Sequence, residues 1–166
     1  MTCVVGLIDN GRVFMGGDSA AIRNTEAEVR QNRKVFHKGV YLIGYAGSFR
    51  AGQLIEHSLE LDSPKGRLLP HMITHVAEKV REIIGKESAE VLIGCAGRLF
   101  KLSTDFSVAE YKSHAAIGEG ESFALGNLFG AAGDPIVRVL RALGAAQANC
   151  TSVRAPFHVA VGGIRS

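Results

Sequence analysis

The chain has 166 residues, 46% of them hydrophobic and 21% charged, with a formal net charge of +3. That length fits one domain, 1–166, with enough apolar content to bury a core. The small, scattered basic excess leaves no footprint for nucleic acid, no run approaches the ~18–20 apolar residues of a membrane span, and the N-terminus lacks a charged-then-apolar leader. The 3 cysteines, Cys3, Cys95 and Cys150, are widely separated with no C-x-x-C pair. They read as small buried apolar residues in a reducing, cytoplasmic compartment.

In chain order, Thr2-Cys3-Val4-Val5-Gly6-Leu7-Ile8-Asp9 and Arg12-Val13-Phe14-Met15-Gly16-Gly17 flank Asn10-Gly11. β-Branched and apolar runs joined by Asn-Gly predict a hairpin with a type I′ turn. Ile22 to Arg33 is polar, a twisted strand pair or loop carrying Glu26, Glu28 and Arg30 outward. Val35-Phe36-His37 and Val40 to Ile43 are strands split by Lys38-Gly39. A helix begins near Ser48, with Ala51, Leu54, Ile55, Ser58 and Leu59 at helical spacing, and Ser63-Pro64-Lys65-Gly66 ends it. Leu68 to Ile84 is a second helix with Leu69, Met72, Ile73, Val76, Val80 and Ile83 on one stripe and Gly85 as its cap. Part of that stripe, Leu69, Met72, Ile73 and Val76, is expected to offer a face for assembly. Glu90 to Cys95 and Arg98 to Leu102 form a hairpin about Ala96-Gly97, and Ser107 to Lys112 and Ala115 to Ile117 continue the sheet. Glu119 to Ala131 is a third helix; Asp134 caps and Pro135 opens a fourth running to Asn149. Phe157 to Val161 closes the chain as a strand, with Pro156 where no ladder donor is required. Two strand blocks, each followed by a helix pair, suggest an α+β chain of two stacked sheets with helices outside.

Chemistry concentrates near the beginning. Asp18 and Lys34 follow Thr2 at equal steps. A threonine hydroxyl is a poor nucleophile and needs an adjacent base. Removal of Met1 would free the Thr2 α-amine to be that base, with a reference pKa of about 7.7–8.0. A lysine ammonium lowers such a pKa, because like charges disfavour one another, and an aspartate holds the lysine charged and in place. Only Met1 precedes Thr2, whose small side chain suits methionine trimming. No longer propeptide is therefore expected.

Thr2 with Cys3-Val4-Val5, Gly17-Asp18-Ser19, Asn32-Arg33-Lys34-Val35-Phe36, Gly44-Tyr45-Ala46-Gly47-Ser48 and Ala116-Ile117-Gly118-Glu119-Gly120 together resemble the proteasome β-subunit family. That family belongs to the N-terminal-nucleophile (Ntn) hydrolases and includes the bacterial protease HslV. The resemblance runs the whole length in element order. It implies a four-layer αββα sandwich and a threonine peptidase without a cofactor or metal. Thr2 would be nucleophile and base, Asp18 and Lys34 its charged partners, and the Gly47 N–H the oxyanion donor. Ala21, Tyr45 and Phe49 would line the pocket for the side chain preceding the cut, although packing in the core accounts equally for Phe49. Asn149 and Ser152 fall near a family Asp and Ser that contact the nucleophile. Glu119 departs from the pattern, which has serine hydrogen-bonded to the catalytic amine at that point. The resemblance further implies a homo-oligomeric ring acting on peptides or unfolded protein, fed by an ATP-driven unfoldase. A silent ring or scaffold subunit that keeps Met1 is the alternative, and the Asp18/Lys34 pair beside residue two weighs against it.

Three other motifs fail on their chemistry. Gly17-Asp18-Ser19 lies too early for a trypsin-like serine. A GDSL-type esterase needs a late Asp-x-x-His, whereas His158 follows Arg154-Ala155-Pro156-Phe157. His71 and His75 are spaced i,i+4, but the glutamate of a zinc-protease helix is missing between them, so they read as surface or interface histidines. Gly118-Glu119-Gly120 lacks the third glycine of a dinucleotide loop, with Phe123 in its place.

Overall fold

The computed structural model of the chain describes residues 2–162. Asn10 and Gly11 take positive φ angles of 47° and 72°, as a type I′ turn requires, and join β1 (Cys3–Asp9) to β2 (Arg12–Gly17). Ala96 and Gly97, at 49° and 73°, do the same between β7 (Ala89–Cys95) and β8 (Arg98–Leu102). The remaining strands are β3 (Ala20–Arg23), β4 (Glu26–Val29), β5 (Val35–Lys38), β6 (Tyr41–Gly47), β9 (Val108–Tyr111), β10 (His114–Gly118) and β11 (His158–Val161). They form two antiparallel main sheets, ordered β10-β1-β2-β11 and β5-β6-β7-β8-β9, and a separate β3-β4 ribbon. Neither main sheet matches a block of sequence. β7 to β9 join β5 and β6, while β10 crosses back to pair with β1.

The sheets stack through Val4, Val13, Met15, Leu42, Leu92, Leu99 and Ile117. Helices cover both outer faces. α1 (Phe49–His57) and a helix made of α2 (Leu68–His71), a π-helical turn (Met72–Val76) and α3 (Ala77–Ile84) pack Ile55, Met72, Val76 and Val80 on the five-stranded sheet. α4 (Glu121–Leu128) and α5 (Pro135–Asn149) pack Leu128, Val139 and Leu143 on the four-stranded sheet. This is the expected four-layer αββα sandwich. Among the described residues no helix is long and apolar enough to cross a membrane.

Several local expectations shift. α1 ends at His57, where Ser58 and Leu59 both donate to Leu54 O and Leu59 turns into the core. The 68–84 helix carries a π turn, so its large buried side chains are Leu68, Met72, Val76, Val80 and Ile84. The extra residue in that turn offsets the drift that a four-residue spacing accumulates on a pure α-helix. Met72 and Val76 thus face the sheet, and only Ile73 of the expected assembly face is exposed, at 47%. α4 starts two residues late, because Gly120 N donates to Thr2 O and Gly118 sits at φ 91°. It ends early, with Gly130 at φ 71° shortly beyond.

The two hairpin tips meet: a Cβ on Gly97 would lie 2.4 Å from Gly11 O. The sheets are pinned together there. At the opposite end of the same strands, Cys3 pairs with Gly118 and Gly47 with Ala89. A cleft of about 310 Å³ opens at that end, lined by Ala46, Gly47, Ser88, Ala89, Glu90, Thr104, Gly118 and Glu119.

Candidate active site

Thr2, Asp18 and Lys34 are all buried beside this cleft, at 2%, 0% and 2% exposure. β1 and β2 are hydrogen-bonded neighbours, so their site ends bring the start of the chain next to residue 18. Asp18 accepts from Lys34 Nζ at 2.8 Å and from Cys3 N at 3.1 Å on one oxygen. Its other oxygen accepts from Ala20 N at 3.0 Å and Arg154 N at 3.2 Å. Lys34 Nζ also donates to Ala20 O at 2.6 Å. A buried ion pair is tolerated only when the remaining lone pairs and protons are satisfied, and this one is held from β1, β3 and the chain after α5. Burial lowers the Lys34 pKa below its ordinary 10.5, and the Asp18 charge and hydrogen bond oppose that shift. The ammonium therefore sits in a low-dielectric pocket directly behind residues two and three.

Gly47 ends β6 at φ 118°, and a Cβ there would lie 2.7 Å from Ser88 O, so only glycine fits. A Cβ on Gly118 would lie 2.2 Å from Thr2 O and 3.3 Å from Ala46 Cβ. Thr2, Ala46 and Gly118 thus converge at one point, with Gly47 next along the chain. Glu119 is on the cleft wall, exposed, and accepts the Ser152 hydroxyl. Cys150 Sγ lies 3.0 Å from that hydroxyl. Asn149 is elsewhere: its amide donates to Ala145 O within its own helix.

Ala21 is buried on β3, and the ring of Tyr45 lies under α1, where a Cβ on Gly52 would be 2.0 Å from it. Phe49 is half-buried, with its ring centroid 5.6 Å from Lys34 Nζ and 4.4 Å from the Arg30 guanidinium. Arg30 is therefore not the outward-facing residue expected. Its N–H donates to Ser19 O, which extends the β3–β4 ladder by one pair. Ser19 itself donates to Pro156 O at 2.6 Å, so its hydroxyl proton is committed to a carbonyl. His71 Nε2 is 2.8 Å from Tyr41 Oη, and the His71 and His75 rings meet within the chain at 4.9 Å between centroids, tilted by 32°. Among the described residues no cluster of His, Cys, Asp and Glu is arranged to hold a metal. Two charged residues of the cleft region went unpredicted, Glu90 and Lys101. Their signal was a charged side chain within each of two apolar strands, Glu90 at the start of β7 and Lys101 between Phe100 and Leu102 on β8.

No protein-family model matches the sequence, and neither does any curated protein. Solved structures do. Thiobacillus denitrificans BPH in complex with Epoxomicin superposes with a TM-score of 0.87 at 19% identity, covering 99% of this chain and 100% of that one. Eukaryotic HslV from Trypanosoma brucei gives 0.71 at 15% identity, over 96% of this chain and 98% of that one. Anbu (ancestral beta-subunit) from Yersinia bercovieri gives 0.74 at 16%, over 96% and 81%. The chain has the proteasome/HslV-like Ntn hydrolase fold.

Proposed function

We propose that the chain is a threonine-type endopeptidase of the proteasome/HslV kind. Met1, which lies outside the described residues, is removed, and the Thr2 nitrogen changes from an amide to a basic amine. Thr2 Oγ attacks the carbonyl carbon of a peptide bond while the amine takes its proton, through a water. The Gly47 N–H donates to the tetrahedral oxyanion. The C–N bond then breaks, the leaving nitrogen takes the proton from the Thr2 amine, and water hydrolyses the acyl ester. Lys34, fixed by Asp18, disfavours a second positive charge on the amine. Glu119 acts the other way and favours the ammonium. Phe49, half-buried at the start of α1, faces the side chain preceding the cut, with the buried Ala21 and Tyr45 behind it as support.

The observation that carries this reading is the buried Asp18–Lys34 pair, 2.8 Å apart with neither side chain more than 1% exposed. Such a pair is costly, and perturbed charges of this kind concentrate at functional sites. A silent subunit that keeps Met1 has no use for one behind its second residue. The same reading includes a homo-oligomeric ring in the cytoplasm, acting on peptides or unfolded protein supplied by an ATP-dependent unfoldase.

Intact-mass spectrometry of the purified, active protein is expected to give a chain beginning at Thr2. Peptide hydrolysis by a chain still carrying Met1 overturns the mechanism, because an amide nitrogen is no base. Thr2→Ala is expected to lower turnover by roughly 10²–10⁴-fold. Epoxomicin, which is bound in the BPH structure, is expected to block turnover only where Thr2 is intact. Lys34→Ala should be equally inactive, but it strands Asp18 in the core at a cost of about 3–5 kcal/mol. Its folding must therefore be measured alongside its activity.

A further inference from the structure

Lys101 stands in β8 among Leu99, Phe100 and Leu102, all buried, and its own side chain is only 12% exposed. Its Nζ lies 3.3 Å from Glu90 Oε1 on β7 and 3.0 and 3.1 Å from the two Glu121 oxygens in the first turn of α4. It also reaches Ala116 O on β10 at 3.4 Å. The second oxygen of Glu90 accepts Gly118 N at 3.2 Å. One ammonium thereby ties both sheets and α4 together at the open end of the cleft. The segment it secures, Gly118 to Gly120, encloses residue two: Gly120 N donates to Thr2 O at 3.3 Å, and Gly118 touches the same carbonyl.

The charged and titratable groups around this point come from every neighbouring element. Asp18 follows β2 and Lys34 precedes β5; Cys3 is on β1, Glu90 on β7, Lys101 on β8, Glu121 on α4 and Cys150 after α5. Glu119 lies between β10 and α4. Asp18 is matched by Lys34, and Glu119 takes the Ser152 hydroxyl. Glu90 and Glu121 share Lys101.

We propose that Lys101 is a positioning residue of this site. It fixes the Gly118–Gly120 segment against Thr2 and offsets one of the two carboxylate charges of Glu90 and Glu121, which would otherwise both favour the ammonium form of the Thr2 amine. This rests on the threonine-peptidase reading. An uncompensated carboxylate within ~4–6 Å favours a protonated amine, so losing Lys101 moves the working base to higher pH.

The test is the pH dependence of kcat/KM for the full chain with one fluorogenic peptide, comparing wild type, Lys101→Met, Lys101→Arg, Glu90→Gln and Thr2→Ala. Lys101→Met is expected to lower kcat roughly tenfold, with KM little changed, and to raise the acidic limb by about one pH unit. Lys101→Arg should restore most of both, since it keeps the charge. Glu90→Gln should move the limb the other way, which supplies the answer even where Lys101→Met does not fold. Unmoved limbs in the folded variants overturn the proposal, whether turnover is unchanged or merely lost through weaker folding. Wild-type profiles for the Lys101 and Glu90 variants beside an inactive Thr2→Ala sink this inference alone. An active Thr2→Ala sinks the peptidase reading with it.

Discussion

Cys3 directly follows the candidate nucleophile and is fully buried; burial, with Asp18 next in weight, pushes its thiol from 9.0 up to about 12. Burial likewise pushes the Tyr45 hydroxyl from 10.0 up to about 12, with Glu56 adding to it. Both groups keep their protons in the native chain at pH values where the unfolded chain has lost them. The unfolded state then binds fewer protons, so stability falls as pH rises from about 9 to about 12, by up to ~1.4 kcal/mol per pH unit for each group. Lys34 has the opposite sign. Its lowered native pKa means that the native chain gives up this proton first, so its contribution grows as pH rises towards the ordinary lysine value. Urea unfolding between pH 8 and 11 should show the net fall, and Cys3→Ala should flatten it. An alkaline slope that is the same in Cys3→Ala would mean that the thiol titrates normally.

Among the elements, the helix through Met72–Val76 is where periodicity and structure part most clearly. A stripe read at α spacing makes Ile73 equivalent to Met72, whereas the π turn buries Met72 to 1% and leaves Ile73 at 47%. Met72→Ala is therefore expected to cost about 2–5 kcal/mol, and Ile73→Ala to stay within about 0.5 kcal/mol. Chemical denaturation of the two variants checks this, and equal losses would restore the unbroken α-helix. The same element holds His71 against Tyr41, whose hydroxyl donates to Asp62 O, and this ties the helix to the sheet.

On the scale of the whole molecule, the exposed apolar side chains gather on the α4–α5 layer. Phe129 is 85% exposed, with Phe123 at 42%, Ile136 at 40%, Val137 at 42% and Leu140 at 37%. A patch of this kind rimmed by polar residues marks a protein–protein surface more often than bare solvent-facing chain. On the Leu69–Val76 stripe, by contrast, Met72 and Val76 are spent on the sheet and only Ile73 is exposed. The proposed ring should therefore weaken through α5 and its neighbour. Phe129→Glu with Leu140→Glu is expected to lower the mass seen by light scattering at micromolar concentration, while Ile73→Glu leaves it unchanged. Equal masses for all three proteins would place the assembly surface elsewhere.

Much of this chain was legible before folding was considered. Asn10-Gly11 announced its turn because few residue pairs accept two positive φ angles, and Asp134-Pro135 announced the start of α5 by cap and fixed φ. Thr2, Asp18 and Lys34 stood out because their combined chemistry is specific; in the fold Asp18 and Lys34 pair in the core, and Asp18 accepts the N–H of the residue after Thr2. What the linear pattern left open were the choices that local periodicity does not encode. Strands of period two look alike, so nothing local said that β10 would leave its sequence neighbours to pair with β1, or that β7 would lie beside β6. Those pairings bring Gly47, Gly118 and Glu119 around Thr2. Glu90 and Lys101 are neighbours across the β7–β8 hairpin, but only packing between the sheets set them against Gly118 and Ala116, and only the tertiary fold laid Arg30 over Phe49. Local conformational preference acts over a few residues, whereas the neighbours of a cleft are decided by which apolar faces bury one another.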